Sequence, residues 1–150
     1  MNKELFNLSQ LPDRSAKPRN NGLTMVMDKG LSLQEVENFL ENGSHYTDLI
    51  KLGFGTSLFT NKLQDKINLY KSANIPVYLG GTLFEAYVVR NQFDDYVKLI
   101  EKLGITHVEV SDGSLEMNHD VKCNYINTLA KNFTVLSEVG SKDAEKIIPP

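Results

Sequence analysis

The sequence has a single cysteine, Cys123, so no intrachain disulfide can form and a reducing compartment is its natural setting. A lone cysteine on a helix reads first as a small apolar residue and only second as a nucleophile. Histidines are few as well, three in 150 residues, and none stands at a spacing that suggests a zinc site. His45 falls in a loop and His119 at a helix start, where solvated or capping roles dominate, and His107 opens a strand as a core residue. No apolar run is long enough for a secretory signal or a bilayer span, so the expectation is a soluble, cytoplasmic protein without a membrane partner. Basic charge is not in excess either. Sixteen Lys and Arg stand against nineteen Asp and Glu, a formal net charge of -3, which argues against a nucleic-acid binder. The one basic group, Arg14, Lys17 and Arg19, reads either as a solvated extension or as an arm that reaches an anionic ligand.

What the chain does have is charge in unexpected places. Three of its most apolar runs, LIKLGFG, HVEVSDG and VLSEVG, each hold a charge among their apolar residues, Lys51, Glu109 or Glu138, and each ends in glycine, with Asp112 a second charge just before the glycine of HVEVSDG. An unpaired ion in an apolar interior costs several kcal/mol or more, so these charges need partners. They fall late in their strands, next to glycines that let a ligand approach the backbone. Their mixed signs suit an anionic substrate together with a cation, and the pattern reads as an enzyme site.

From Gly22 onward, short β-branched runs alternate with longer segments of helical period, the mark of a parallel α/β fold. Residues 1–21 read as an N-terminal extension and 22–150 as five βα units. The strands are GLTMVMD, DLIKLGF, IPVYLGG, THVEVSDG and FTVLSEVG. Ser32 and Glu35 form a capping box for a first helix that Gly43 should stop. A second helix spans Lys62 to Ser72, with Leu63, Ile67 and Tyr70 on one face. A third helical region should break near Asn91 and turn Phe93, Val97 and Ile100 inward, and a fourth helix covers Asn118 to Lys131. The strands begin near residues 22, 48, 75, 106 and 133. A repeat of about 28 residues matches one unit of an eight-stranded βα barrel of about 250 residues, so five of eight units are accounted for. An open twisted sheet is the alternative, but its charged strand ends would have to serve a single crevice.

The strand ends in order read MDKGL, KLGFGTS, GGTLFE, EVSDG and SEVGSK. Together with KPRNNGLTMVMDKGL and LSEVGSKDAE, in this order and over nearly the whole chain from Lys17, they resemble the phosphosulfolactate synthase family, including its plant heat-stress-associated branch. The resemblance implies a (βα)8 TIM-type barrel and a magnesium-dependent addition of sulfite to phosphoenolpyruvate, giving 2-phospho-3-sulfolactate. It implies a place in coenzyme M synthesis, as in methanogens, or in making sulfolactate as an end product, as in spore-forming bacteria. It also makes the lysine after the fifth strand, Lys142, the proton donor. Many archaeal members read EVGKK where this chain reads EVGSK, so Ser141 stands for one lysine, and an anion-binding role falls to Lys29, Lys51 or the Arg14 to Arg19 arm.

The residue inventory suits that chemistry. Sulfite is already a nucleophile and needs no activating Ser, Cys or His. The acceptor needs help, because its C2 gains carbanion character when the methylene carbon is attacked, so a cation near its carboxylate and a lysine to protonate C2 are required. For Mg2+ the oxygen ligands on offer are Glu109, Asp112 and Glu138, although Glu109 and Glu138 could equally serve only to pair with Lys51. Gly80, Gly81 and Thr82 could present backbone N–H groups to a carboxylate or phosphate at a helix start, with Ser111 nearby. Asp28 could be no more than a cap for the turn that follows it. Three further units would need about 85 residues at the observed repeat. The expectation is therefore that residues 22–150 are the N-terminal portion of a longer synthase barrel; the alternatives are a half-barrel that assembles as a homo-oligomer or with a separate C-terminal partner, and a non-catalytic stress or interaction protein.

Overall fold

The computed structural model describes residue 5 and residues 7–140. Five parallel strands alternate with helices. They are β1 (Met25–Asp28), α1 (Leu33–Gly43), β2 (Leu49–Leu52), α2 (Leu63–Ser72), β3 (Val77–Leu79), α3 (Gly81–Val88), α4 (Phe93–Leu103), β4 (His107–Val110), α5 (His119–Leu129) and β5 (Thr134–Ser137). Two 3₁₀ turns, Ser44–Tyr46 and Thr56–Phe59, flank β2. The α/β class and the order of units agree with the sequence reading, but no barrel closes. The strands form two parallel ladders, β1-β2-β3 and β4-β5. β3 packs on β4 without a shared ladder. At that seam the chain leaves β3 after three residues, and the Gly81 N–H donates to the Glu109 side chain, 2.6 Å, in place of a neighbouring backbone carbonyl.

Strand alternation separates two faces. Ile50, Leu52, Val77, Leu79, Val108 and Val110 point to the helices and join Val36, Ile67, Phe84, Ile100 and Leu129 in one core. The intervening positions form the other face, where Met27 pairs with Lys51 and Lys51 with Tyr78, while Glu109 pairs with Leu136. Toward the N-terminal ends of the strands this face borders a hollow of about 780 Å³, lined by Leu49, Pro76, His107 and Leu136 among others. Burial pushes the Tyr78 hydroxyl well above its ordinary pKa, helped by the negative charge of Glu109 and then Glu138. Among the described residues no helix is long and apolar enough to cross a membrane.

Local signals mostly act as expected. Ser32 Oγ accepts from Glu35 N–H while the Glu35 carboxylate accepts from Ser32 N–H, 2.7 Å, completing the capping box. The long helical region breaks at Asn91, which takes a left-handed φ of 57° that asparagine tolerates better than most residues. Three expectations are corrected. Gly43 does not stop α1, since its φ of -104° is ordinary and the chain runs on into a 3₁₀ turn. It is small because a Cβ there would lie 2.8 Å from the Phe39 ring. The buried stripe of α4 is Tyr96, Ile100 and Leu103, with Phe93 and Val97 only flanking it. The stripe is rotated because the Tyr96 ring lies against both Phe84 and Tyr87, with centroids 5.6 Å apart in each case.

The third correction concerns the basic arm, which is tied down rather than free, with Arg14 exposed and Arg19 buried, and which does not lie near the strand C-termini. Arg14 and Arg19 both reach Asp48 at the start of β2, at 3.1 and 2.7 Å, and Arg19 is buried. Further bonds run from Arg14 to the carbonyls of Tyr46 and Gly22 and from Lys17 to that of Ser44. Burial alone would raise the Asp48 pKa, but the Thr24 N–H and the two guanidinium groups outweigh it and hold the carboxyl below its ordinary 3.8. The arm is thus a clasp over the opposite end of the sheet.

Candidate active site at the C-terminal ends of the strands

Lys51, second to last in β2, crosses to Glu109 in β4, with Nζ 2.7 Å from Oε1. The two side chains are 12% and 6% exposed, so this is an ion pair with little water to screen it. Glu138, just past β5, brings Oε2 to 3.8 Å from the same ammonium and remains 34% exposed. The second oxygen of Glu109 takes the Gly81 N–H at 2.6 Å, at the start of α3, where the helix dipole favours an anion. Both oxygens of this carboxylate are therefore committed within the protein.

The glycine pair makes the crossing possible. A Cβ on Gly80 would lie 3.1 Å from Lys51 Cε and from the Leu52 carbonyl, and one on Gly81 would lie 2.3 Å from Ser111 Cβ. Their amides are not open to a ligand as the sequence suggested. Gly80 N–H donates to Leu52 O and Gly81 N–H to Glu109, so an anion could use them only by exchanging those bonds. Thr82 follows in the first turn of α3.

The other strand-end residues fall into three groups. Ser111 is fully buried and its Oγ donates to Glu85 Oε1 at 2.5 Å. Asp112 is bridged by Lys122, whose Nζ lies 2.6 Å from Oδ1 and also donates to the Glu138 carbonyl at 2.7 Å. Lys29 is exposed, its Nζ 5.4 Å from the centre of the Phe54 ring, a cation–π contact at the rim. Asp28 belongs to none of these. It is buried against α2, paired with Lys66 at 3.1 Å, and it accepts from the Tyr70 hydroxyl and the Gly30 and Leu31 amides. Its capping role is real, and the rest of its work is structural.

Among the described residues no three His, Cys, Asp or Glu side chains converge to hold a metal ion. Of the three candidate ligands, Glu109 is spent on Lys51 and Gly81, whereas Asp112 and Glu138 each keep an oxygen with no partner among the described residues. Lys142 lies outside the described residues. Two buried groups escaped assignment from the sequence. Glu85 stands in the GGTLFE string but was given no role there. Lys122 shares a helical stripe with Ile126 and Leu129 at spacings of four and three, but charges are common on helices and its burial is seen only in the structure.

Comparison with known proteins places this chain in a family. Residues 12–150 match the profile described as (2R)-phospho-3-sulfolactate synthase (ComA). A phosphosulfolactate synthase of Bacillus subtilis is 40% identical over 136 residues, 91% of this chain and 54% of that protein. Those of Methanothermobacter thermautotrophicus and Methanocaldococcus jannaschii are 38% and 43% identical over 138 and 128 residues, covering 90% and 83% of this chain and 54% and 51% of theirs. The chain thus spans about half the length of these relatives. With the match running from the clasp of the N-terminal arm through every strand end described above, the chain belongs to the phosphosulfolactate synthase family.

Proposed function

We propose that this chain carries the sulfite-addition site of a phosphosulfolactate synthase, at the mouth formed by the ends of β2 to β5. The observation that carries the reading is the charge arrangement there. Glu85, Glu109, Asp112 and Glu138 are set against Lys51 and Lys122, with Lys29 out at the rim, so negative charge is in formal surplus even with Lys29 counted, at a place that must receive an anionic substrate. A divalent cation would offset that surplus, and the hard-oxygen donors suit Mg2+, which needs only one or two protein carboxylates. The fit favours Asp112 and Glu138, because Glu109 has no oxygen to give. When bound, Mg2+ would supply Lewis-acid stabilisation of the charge that grows on the substrate.

The protein's own residues then divide the work. Lys51, neutralised by Glu109, sets the place of Glu138 and contributes little net pull on an anion. Lys29, exposed at the rim, is the lysine suited to meet the incoming phosphate or sulfite. Sulfite forms the new C–S bond at the methylene carbon while the C=C π pair moves toward C2, and Lys142 delivers the proton that completes C2. No bond in phosphoenolpyruvate other than that π bond breaks.

The test is a phosphoenolpyruvate-plus-sulfite assay with Mg2+ on this chain, following product by NMR with size-exclusion chromatography of the same sample. Turnover would support a working mouth in this chain or its homo-oligomer. No turnover from folded protein, alone or with the last three βα units of a relative added, would overturn the proposal. Lys142→Ala in the active form is expected to cost about 10²–10⁴ in kcat, the worth of a positioned general acid.

A further inference from the structure

The loop after β4, Ser111 to Ser114, is gripped from two helices by buried charges of opposite sign. From α3, Glu85 is 4% exposed, and its Oε1 accepts from Ser111 Oγ at 2.5 Å and from Ser114 N–H at 3.3 Å. Helical side chains lean toward the helix N-terminus, so this carboxylate covers the turn that begins at Gly81, beneath the ion pair of the site. From α5, Lys122 is 8% exposed and ties Asp112 Oδ1 to the Glu138 carbonyl. Gly113 N–H donates to Ser111 Oγ at 3.3 Å and closes the loop on itself.

Neither charge is where folding alone would put it. Lys122 sits in the second turn of α5, near the helix end whose dipole disfavours a cation. It also occupies the stripe that Ile126 and Leu129 fill with apolar groups. Glu85 has a second carboxylate oxygen, Oε2, that is buried without a partner among the described residues. Such an orphan costs about 1–3 kcal/mol or more, which a purely structural residue would not retain when a neutral group of the same shape could fill the place.

We infer that Glu85 and Lys122 are a pair of positioning residues that hold the Ser111–Ser114 loop, and through it the Asp112 carboxylate, in register with Glu138 for substrate binding. The inference rests on the function proposed above but predicts behaviour of the loop that can be read without turnover. Lys122 fixes two candidate ligands at once, one by side chain and one by main chain. Glu85 fixes the opposite side of the same loop. Removing either leaves the core strands intact and frees the loop.

The first arm measures amide hydrogen exchange on this chain. Glu85→Leu and Lys122→Met break the clamp, whereas Glu85→Gln and Lys122→Arg retain an acceptor and a cation respectively. In the breaking variants exchange at Gly113 and Ser114 should rise about tenfold or more relative to Ile50 and Leu52, as expected for local opening after loss of a charged hydrogen bond. The conservative variants should stay near wild type. Equal acceleration at all four amides, or none at the loop, would overturn the clamp. The second arm titrates phosphoenolpyruvate with Mg2+ by calorimetry, where the breaking variants should bind about tenfold or more weakly and the conservative ones recover. Wild-type protein that binds no phosphoenolpyruvate, alone or with the last three βα units of a relative added, would sink the proposed function and leave the exchange result to decide the clamp. Breaking variants that bind as tightly as wild type would refute the positioning role.

Discussion

Removing the ammonium of Lys51 tests whether the mouth is organised as described. In Lys51→Met the stem keeps its packing beside Gly80, but Glu109 loses a partner at 2.7 Å and retains only the Gly81 N–H. Breaking a buried pair from one side typically costs 3–5 kcal/mol because a charge is left uncompensated. The surviving amide bond, and the 12% exposure of Lys51, place this case at the low end, about 3 kcal/mol. For a domain of this size that is a fall in Tm of about 6–12 °C. Urea titration should show a lower midpoint with an unchanged slope, since the surface exposed on unfolding is the same. The decisive variant is Lys51→Met with Glu109→Gln, in which an amide oxygen can still accept from Gly81 and no charge is stranded. Its stability should return to within about 1 kcal/mol of wild type. A single variant that unfolds within about 0.5 kcal/mol of wild type would show that Glu109 does not depend on Lys51 and would refute the argument.

Gly81→Ala should be more damaging than its size suggests. The new Cβ would lie 2.3 Å from Ser111 Cβ, forcing the start of α3 away from β4 at a cost of about 1–3 kcal/mol, checked by chemical denaturation. Asp48→Asn should remove about 1–3 kcal/mol at neutral pH by weakening the Arg14 and Arg19 clasp. Because the folded carboxyl titrates below 3.8, its contribution is fully present above that value and is lost as pH falls through the lower folded value. The variant's acid limb should accordingly be flatter than wild type in a pH series of thermal melts, and an identical limb would refute this assignment.

The unit order, the capping box at Ser32 and the break at Asn91 were legible because each is a local matter of propensity and backbone freedom. The charges inside apolar runs were legible for a related reason: alternation along a strand says which face a side chain takes, and a buried charge demands a partner. Which partner it takes is a question of register between strands far apart in sequence, and no local pattern encodes that. Thus the sequence left Glu109 open as a metal ligand, and only the approach of Lys51 on one side and the Gly81 amide on the other shows its oxygens filled. The basic arm failed for the same reason. Arg14 and Arg19 look solvated until Asp48, about thirty residues away, is seen beneath them.

Lys122 shows how this difference bears on function. A lysine in a polar-looking helix attracts no notice, yet its ammonium joins the side chain of Asp112 to the main chain at Glu138, two positions the sequence had already marked. The marked residues lie at or just past strand ends, where a charge beside an apolar run is conspicuous. The residues that aim them lie on helices, where charges are common and burial must be observed. In a fold whose strand ends form the candidate site and whose helices surround it, the half of such a site borne at the strand ends is therefore the half that sequence exposes. The helix-borne half, Glu85 and Lys122 here, emerges only once the loop between them is in place.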